Sequence, residues 1–114
     1  MVRVESSFTL DQLMQFAKEN YEAFGTKSRL RKHAYYRQIA AYIALEGGYK
    51  IGEIAKVLNV SHPTIIWSRE QATSHLTSRD ETFYAYYVEF VNKLNNYLNN
   101  ELPAAVNERQ RVDA

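Results

Sequence analysis

The chain has 114 residues, a formal net charge of +1 at neutral pH and no cysteine. That length makes one domain with a core of its own and leaves no room for a second catalytic lobe, and the missing thiols exclude disulfides and thiolate zinc sites. No apolar run reaches the length of a membrane span, and Met1-Val2-Arg3-Val4-Glu5-Ser6-Ser7-Phe8 lacks the apolar centre of a secretion signal, so an intracellular protein without membrane contact is expected.

Charge is sorted along the chain. From Ala23 to Leu45 the cations Lys27, Arg29, Arg31, Lys32 and Arg37 stand without one acidic residue. From Arg79 to Glu108 the sign reverses, with Asp80, Glu81, Glu89, Glu101 and Glu108 outnumbering Arg79 and Lys93. The first window is a candidate face for a polyanion, the alternative being a solvated basic face.

In chain order, Phe8-Thr9-Leu10-Asp11-Gln12-Leu13 reads as a helix start. Thr9 is the N-cap, Gln12 completes a capping box and Phe8 staples onto Leu13. The helix is expected to reach about Phe24, burying Leu10, Leu13, Met14, Ala17, Tyr21 and Phe24, and to stop at Gly25. Residues 26–32 are polar and basic and read as a loop or a short turn. A second long helix is expected from near Lys32 to Glu46, with Tyr36, Ile39, Ala40, Ile43 and Ala44 inward, ending at Gly47-Gly48. Two short helices meeting at a tight turn follow over about residues 50–76, the spacing of a helix-turn-helix. Ile54, Ala55 and Leu58 face inward on the first, Asn59 supplies a left-handed turn, and Val60 packs the corner. Ser61 caps the second helix, Pro63 suits its first turn, and Ile65 and Ile66 anchor it in the core. Ser78-Arg79-Asp80-Glu81 reads as a further capping box. It opens a helix to Leu98 or beyond, with Phe83, Tyr87, Phe90, Val91, Leu94, Tyr97 and Leu98 inward. No strand is expected. Residues 1–102 form one domain, and 103–114 read as a disordered tail.

A two-helix corner arises in many small cores without any DNA, so the corner alone leaves the function open. Its surroundings narrow the reading. Thr26-Lys27-Ser28-Arg29, then Tyr36-Arg37-Gln38-Ile39-Ala40, then Gly52-Glu53-Ile54-Ala55 and His62-Pro63-Thr64-Ile65-Ile66 follow one another in an order and at spacings that resemble the C-terminal DNA-binding domain of the bacterial replication initiator DnaA. The resemblance runs over roughly residues 18–90. It implies an all-α, Trp repressor-like helical bundle containing the helix-turn-helix, here with a long C-terminal helix added, and duplex DNA as partner. It also implies that Arg29 enters the minor groove, flanked by Lys27 and Arg31 on the backbone, and that Arg37 and Gln38 grip phosphate. The family usually begins its recognition helix with Asp-His-Thr-Thr or Asp-His-Ser-Thr. Here the start is His62-Pro63-Thr64-Ile65, only Thr64 survives, and a later histidine is Ser68. The gripping part is kept and the base-reading part has changed, so the initiator's own recognition sequence is not expected. With no Gly-rich phosphate loop, the expectation is a stand-alone regulator of transcription or replication, of the kind found in phages and mobile elements, acting in the cytoplasm of a bacterial or phage-infected cell.

Phosphate contacts set affinity, whereas base edges specify. Lys27, Arg31, Lys32, Arg37 and Lys56 are the phosphate candidates, and Arg29 suits a narrow A·T-rich minor groove. Ser61, His62, Thr64, Ser68 and Arg69 are the major-groove candidates, with His62 alternatively an exposed turn residue and Trp67 read as a core or edge-packing residue. The nine tyrosines fall mostly on buried stripes and are read as core with polar edges. His33, His62 and His75 show no metal-ligand spacing, and no nucleophile set or cofactor loop is present, so neither an enzyme nor a cofactor or small-molecule substrate is expected. The other reading is an interaction module, with the aromatic helix 80–101 as homodimer or partner interface and the DNA site eroded.

Overall fold

The computed structural model describes residues 2–21, 24 and 31–101, and there the chain is an all-α bundle without a strand. Its helices are α1 (Leu10–Asn20), α2 (Arg31–Glu46), α3 (Ile51–Leu58), α4 (His62–Thr77) and α5 (Glu81–Glu101). The expected tail 103–114 and the stop at Gly25 lie outside the described residues.

Local chemistry explains most helix ends. The Gln12 N–H donates to the Thr9 hydroxyl at 3.0 Å while Gln12 Oε1 accepts from the Thr9 N–H at 2.8 Å, the reciprocal box expected at α1. α1 stops at Asn20, short of the expected Phe24. The Asn20 amide caps the Phe16 carbonyl at 2.9 Å, and Tyr21 leaves the helix to lay its ring between Tyr36 (3.9 Å) and Phe90 (5.3 Å). Burying that ring outweighs one further helical turn. α2 ends as expected at Gly47-Gly48. Gly48 takes φ +93°, and a Cβ on Gly47 would stand 2.8 Å from the Phe8 ring. The start of α5 differs from expectation. Ser78 closes α4, Arg79 turns left-handed at φ 60°, and Asp80 is the cap, its Oδ1 accepting from the Phe83 N–H at 3.0 Å. A carboxylate serves a helix N-terminus at least as well as a hydroxyl, and Arg79 has already broken the backbone that a box from Ser78 needs.

All the residues expected inward on α1 and α2, with Tyr21 and Phe24 beyond α1, are buried, and so is Phe16, which was not among them. On α5, Phe83, Phe90, Val91, Leu94 and Leu98 are fully enclosed and Tyr87 nearly so, so its apolar stripe faces the protein's own core. Each such side chain contributes about 1.5–3 kcal/mol of burial. Residues 2–9 form an extended strap that the sequence did not announce. Tyr87 donates to the Val2 carbonyl (2.9 Å), Asn95 both accepts from the Glu5 N–H (2.9 Å) and donates to the Arg3 carbonyl (3.1 Å), and Tyr49 donates to the Phe8 carbonyl.

α4 packs most extensively on α2 and also against α3 and α5. α2 buries Ala40, Ala41 and Ala44, and α4 buries Ser68 and Ala72; small side chains let helix axes approach closely. The far end of α4 is held by His75, whose ring stacks on Phe83 at 4.7 Å and meets Tyr35 at 5.5 Å.

Candidate nucleic-acid interface

The corner between α3 and α4 is built by four residues in a row. Asn59 takes φ 58°, ψ 49° and returns its N–H to Lys56, and the Val60 N–H reaches the Ala55 carbonyl at 2.9 Å. Ser61 stays extended and caps α4, its Oγ accepting from the Thr64 N–H at 3.3 Å and lying 2.8 Å from the Thr64 hydroxyl. His62 rests beside α3, where a Cβ on Gly52 would lie 3.4 Å from its Cε1. At the start of α3, the Lys50 N–H donates to Glu53 Oε1 at 2.9 Å.

Ser61, His62, Thr64 and Arg69 are exposed on or beside α4, and Lys56 is exposed on α3. Two candidates are corrected. Ser68 is buried, because α4 turns Ile65, Ser68 and Ala72 toward its neighbours at helical spacing, and Gln38 is buried within α2, so neither side chain is placed to touch DNA. Two expectations for α4 also change. Ile66 is 37% exposed and Trp67 52% exposed, so Ile65 alone of the isoleucine pair anchors the helix, and of the two readings of Trp67 the core one falls and edge packing stands. Successive helical residues point about 100° apart, and burial of Ile65, Ser68 and Ala72 turns 66 and 67 outward. That three-and-four spacing was the signal available in the sequence.

The basic segment is described only from α2 onward. Lys27 and Arg29 lie outside the described residues, as does the side chain of Arg31. Lys32 is exposed at the start of α2. Arg37 is half-buried, and burial pulls its guanidinium pKa below the ordinary value. Lys32 borders a hollow of about 200 Å³ together with Tyr36, Glu89 and Lys93, a cation on α5 within the mainly acidic window from Arg79 to Glu108. Glu89 lies 3.8 Å from the Lys93 amine and accepts from the Tyr36 hydroxyl at 3.4 Å. Among the described residues no group of three His, Asp or Glu side chains could hold a metal ion, and no helix is long and apolar enough to cross a membrane.

No family model matches this chain, and no curated protein or solved structure matches it.

Proposed function

We propose that this chain is a double-stranded DNA-binding protein, resembling the DnaA C-terminal domain, that regulates transcription or replication. The acid-free basic segment leading into α2 grips phosphate, with Arg29 in the minor groove, and α4 enters the major groove. One observation carries the reading. α3 and α4 meet at the left-handed Asn59, and α4 begins with a capped, solvent-facing turn while its opposite face is locked onto α2. A recognition helix needs this combination: rigid support behind and an open N-terminal half in front.

A dimer or partner surface on α5 has less to support it. Its apolar stripe is buried in the fold, and among its described large hydrophobic residues Tyr84 is the exposed one.

The test is selection of the purified chain against a randomised duplex library at two salt concentrations, with sequencing of the retained duplexes. An enriched motif is expected, and its length tells a monomer from a dimer. Retention without enrichment that vanishes at higher salt would mean a backbone-only binder. Failure to retain any duplex would overturn the reading.

A further inference from the structure

We infer that Ile66 and Trp67 are the base-reading residues of α4, and that what they read is the 5-methyl group of thymine. The inference rests on the DNA-binding reading above and names what that site selects.

On the helical circle of α4, Pro63, Ile66, Trp67 and Glu70 share the face opposite buried Ile65, Ser68 and Ala72, and all four are exposed. Two of the three polar side chains at the helix start are already engaged with each other. Ser61 and Thr64 bond to each other and close the cap, and His62 lies against Gly52. At its first two turns the outward face, Pro63, Ile66 and Trp67, presents hydrocarbon, with Arg69 beside it. Along the major-groove edges of the four base pairs, the apolar group is the thymine methyl. Glu70, one turn on, can accept from the exocyclic amine of cytosine or adenine and so does not itself select for thymine.

Duplex DNA is the occupant that fits the surroundings of this face. Lys56 is exposed on α3, Arg69 is exposed beside the face on α4, and the acid-free segment enters α2, the helix that α4 packs on. A protein partner would cover Ile66 and Trp67 equally well but would need acidic groups to meet Lys56 and Arg69, which a phosphate backbone supplies along its whole length.

The test uses the full chain and the duplex most enriched by selection, with thymines replaced one at a time by deoxyuridine, which removes the methyl and keeps the pairing. Wild-type affinity is expected to fall about fourfold at each thymine read, the effect of one buried methyl group. Trp67→Ala and Ile66→Ala are each expected to weaken the thymine duplex about tenfold and to abolish the deoxyuridine penalty at the position that side chain covers. Both side chains lie outside the core, so helical circular dichroism should stay at the wild-type value while the melting temperature falls by a few degrees. Enrichment of a motif whose deoxyuridine versions all bind wild type equally would overturn the inference and leave DNA binding standing. A penalty undiminished in both variants would overturn it too, since the methyl would then act through DNA shape. A change of solution mass in Trp67→Ala without any deoxyuridine effect would assign the face to contact between copies and also overturn it. Failure to retain any duplex would remove the DNA-binding reading itself, a result distinct from the other three.

Discussion

Asn59 holds the α3–α4 corner in a backbone conformation that costs a Cβ-bearing residue roughly 1–2 kcal/mol unless, like Asn or Asp, its side chain bonds locally. Asn59→Gly is therefore expected to leave stability within a few tenths of a kcal/mol of wild type, whereas Asn59→Ala loses about 1 kcal/mol. Urea unfolding monitored by helical circular dichroism checks both, and equal stability of the two variants would show that φ at this position does not matter. Arg79 shows how such a residue redirects a cap. It takes the left-handed conformation without the help of a short polar side chain, and the cap of α5 moves from Ser78 to Asp80. The Phe83 N–H bond, with the imidazole of His75 3.3 Å from the carboxylate, holds the Asp80 carboxyl below the usual range. Residue types predicted Asn59 and Ser61 correctly because a short polar side chain acts on its own backbone. They missed Asp80 because two adjacent caps compete and the neighbouring φ decides between them.

At the scale of elements, α5 is the wall on which the aromatic residues of α1 and α2 converge. Phe16 meets Phe90 at 5.2 Å, Tyr21 lies between Phe90 and Tyr36, and Tyr35 meets Phe83 at 5.1 Å. The phenols lose water there. Burial first, then the charge of Glu89, pushes the Tyr36 pKa up to about 12, and burial first, then Tyr42 and Glu46, does the same for Tyr87. Burial raises Tyr21 as well. A folded-state pKa above the unfolded value near 10 means that the folded chain holds its protons more tightly. The associated stability is fully present below pH 10 and is lost as pH rises from 10 through 12. In an alkaline titration followed at the tyrosinate absorbance, the loss of helix accompanies ionisation of the buried phenols of Tyr36 and Tyr87. Simple ionisation of all tyrosines near pH 10 with the helices intact would refute this. The helical stripes were legible in the sequence because burial recurs at three and four. The exit of Tyr21 from α1 was not, because its stacking partners lie on α2 and α5.

For the whole molecule, a net charge of +1 hides an uneven distribution, and binding to a polyanion depends on the distribution. If Lys27, Arg31, Lys32, Arg37 and Lys56 meet about five phosphates, log affinity for duplex DNA falls against log salt with a slope of about −4 to −5. Measuring Kd across a salt series checks it, and a flat dependence would remove the basic segment from the binding face. The same scale bears on dimerisation. α5 gives its apolar stripe to the protein's own core and leaves Tyr84 exposed, while Ile66 and Trp67 are exposed on α4. Of the candidate DNA contacts that are described, the exposed ones were mostly legible from polarity and position, while Ser68 and Gln38 were lost to the core.

Taken by itself, the amino-acid sequence determined the helical class, most of the helix boundaries and the corner at Asn59-Val60-Ser61. These depend on caps, left-handed residues and apolar periodicity, and such forces act within a few residues of their source. The tertiary structure alone decided which face of α4 is buried and which is open. Ile65 and Ile66 are the same residue type, about 100° apart on one helix. The packing of α2, α3 and α5 around α4 encloses Ile65 with Ser68 and turns Ile66 with Trp67 to solvent, because only one side of a helix can face its neighbours.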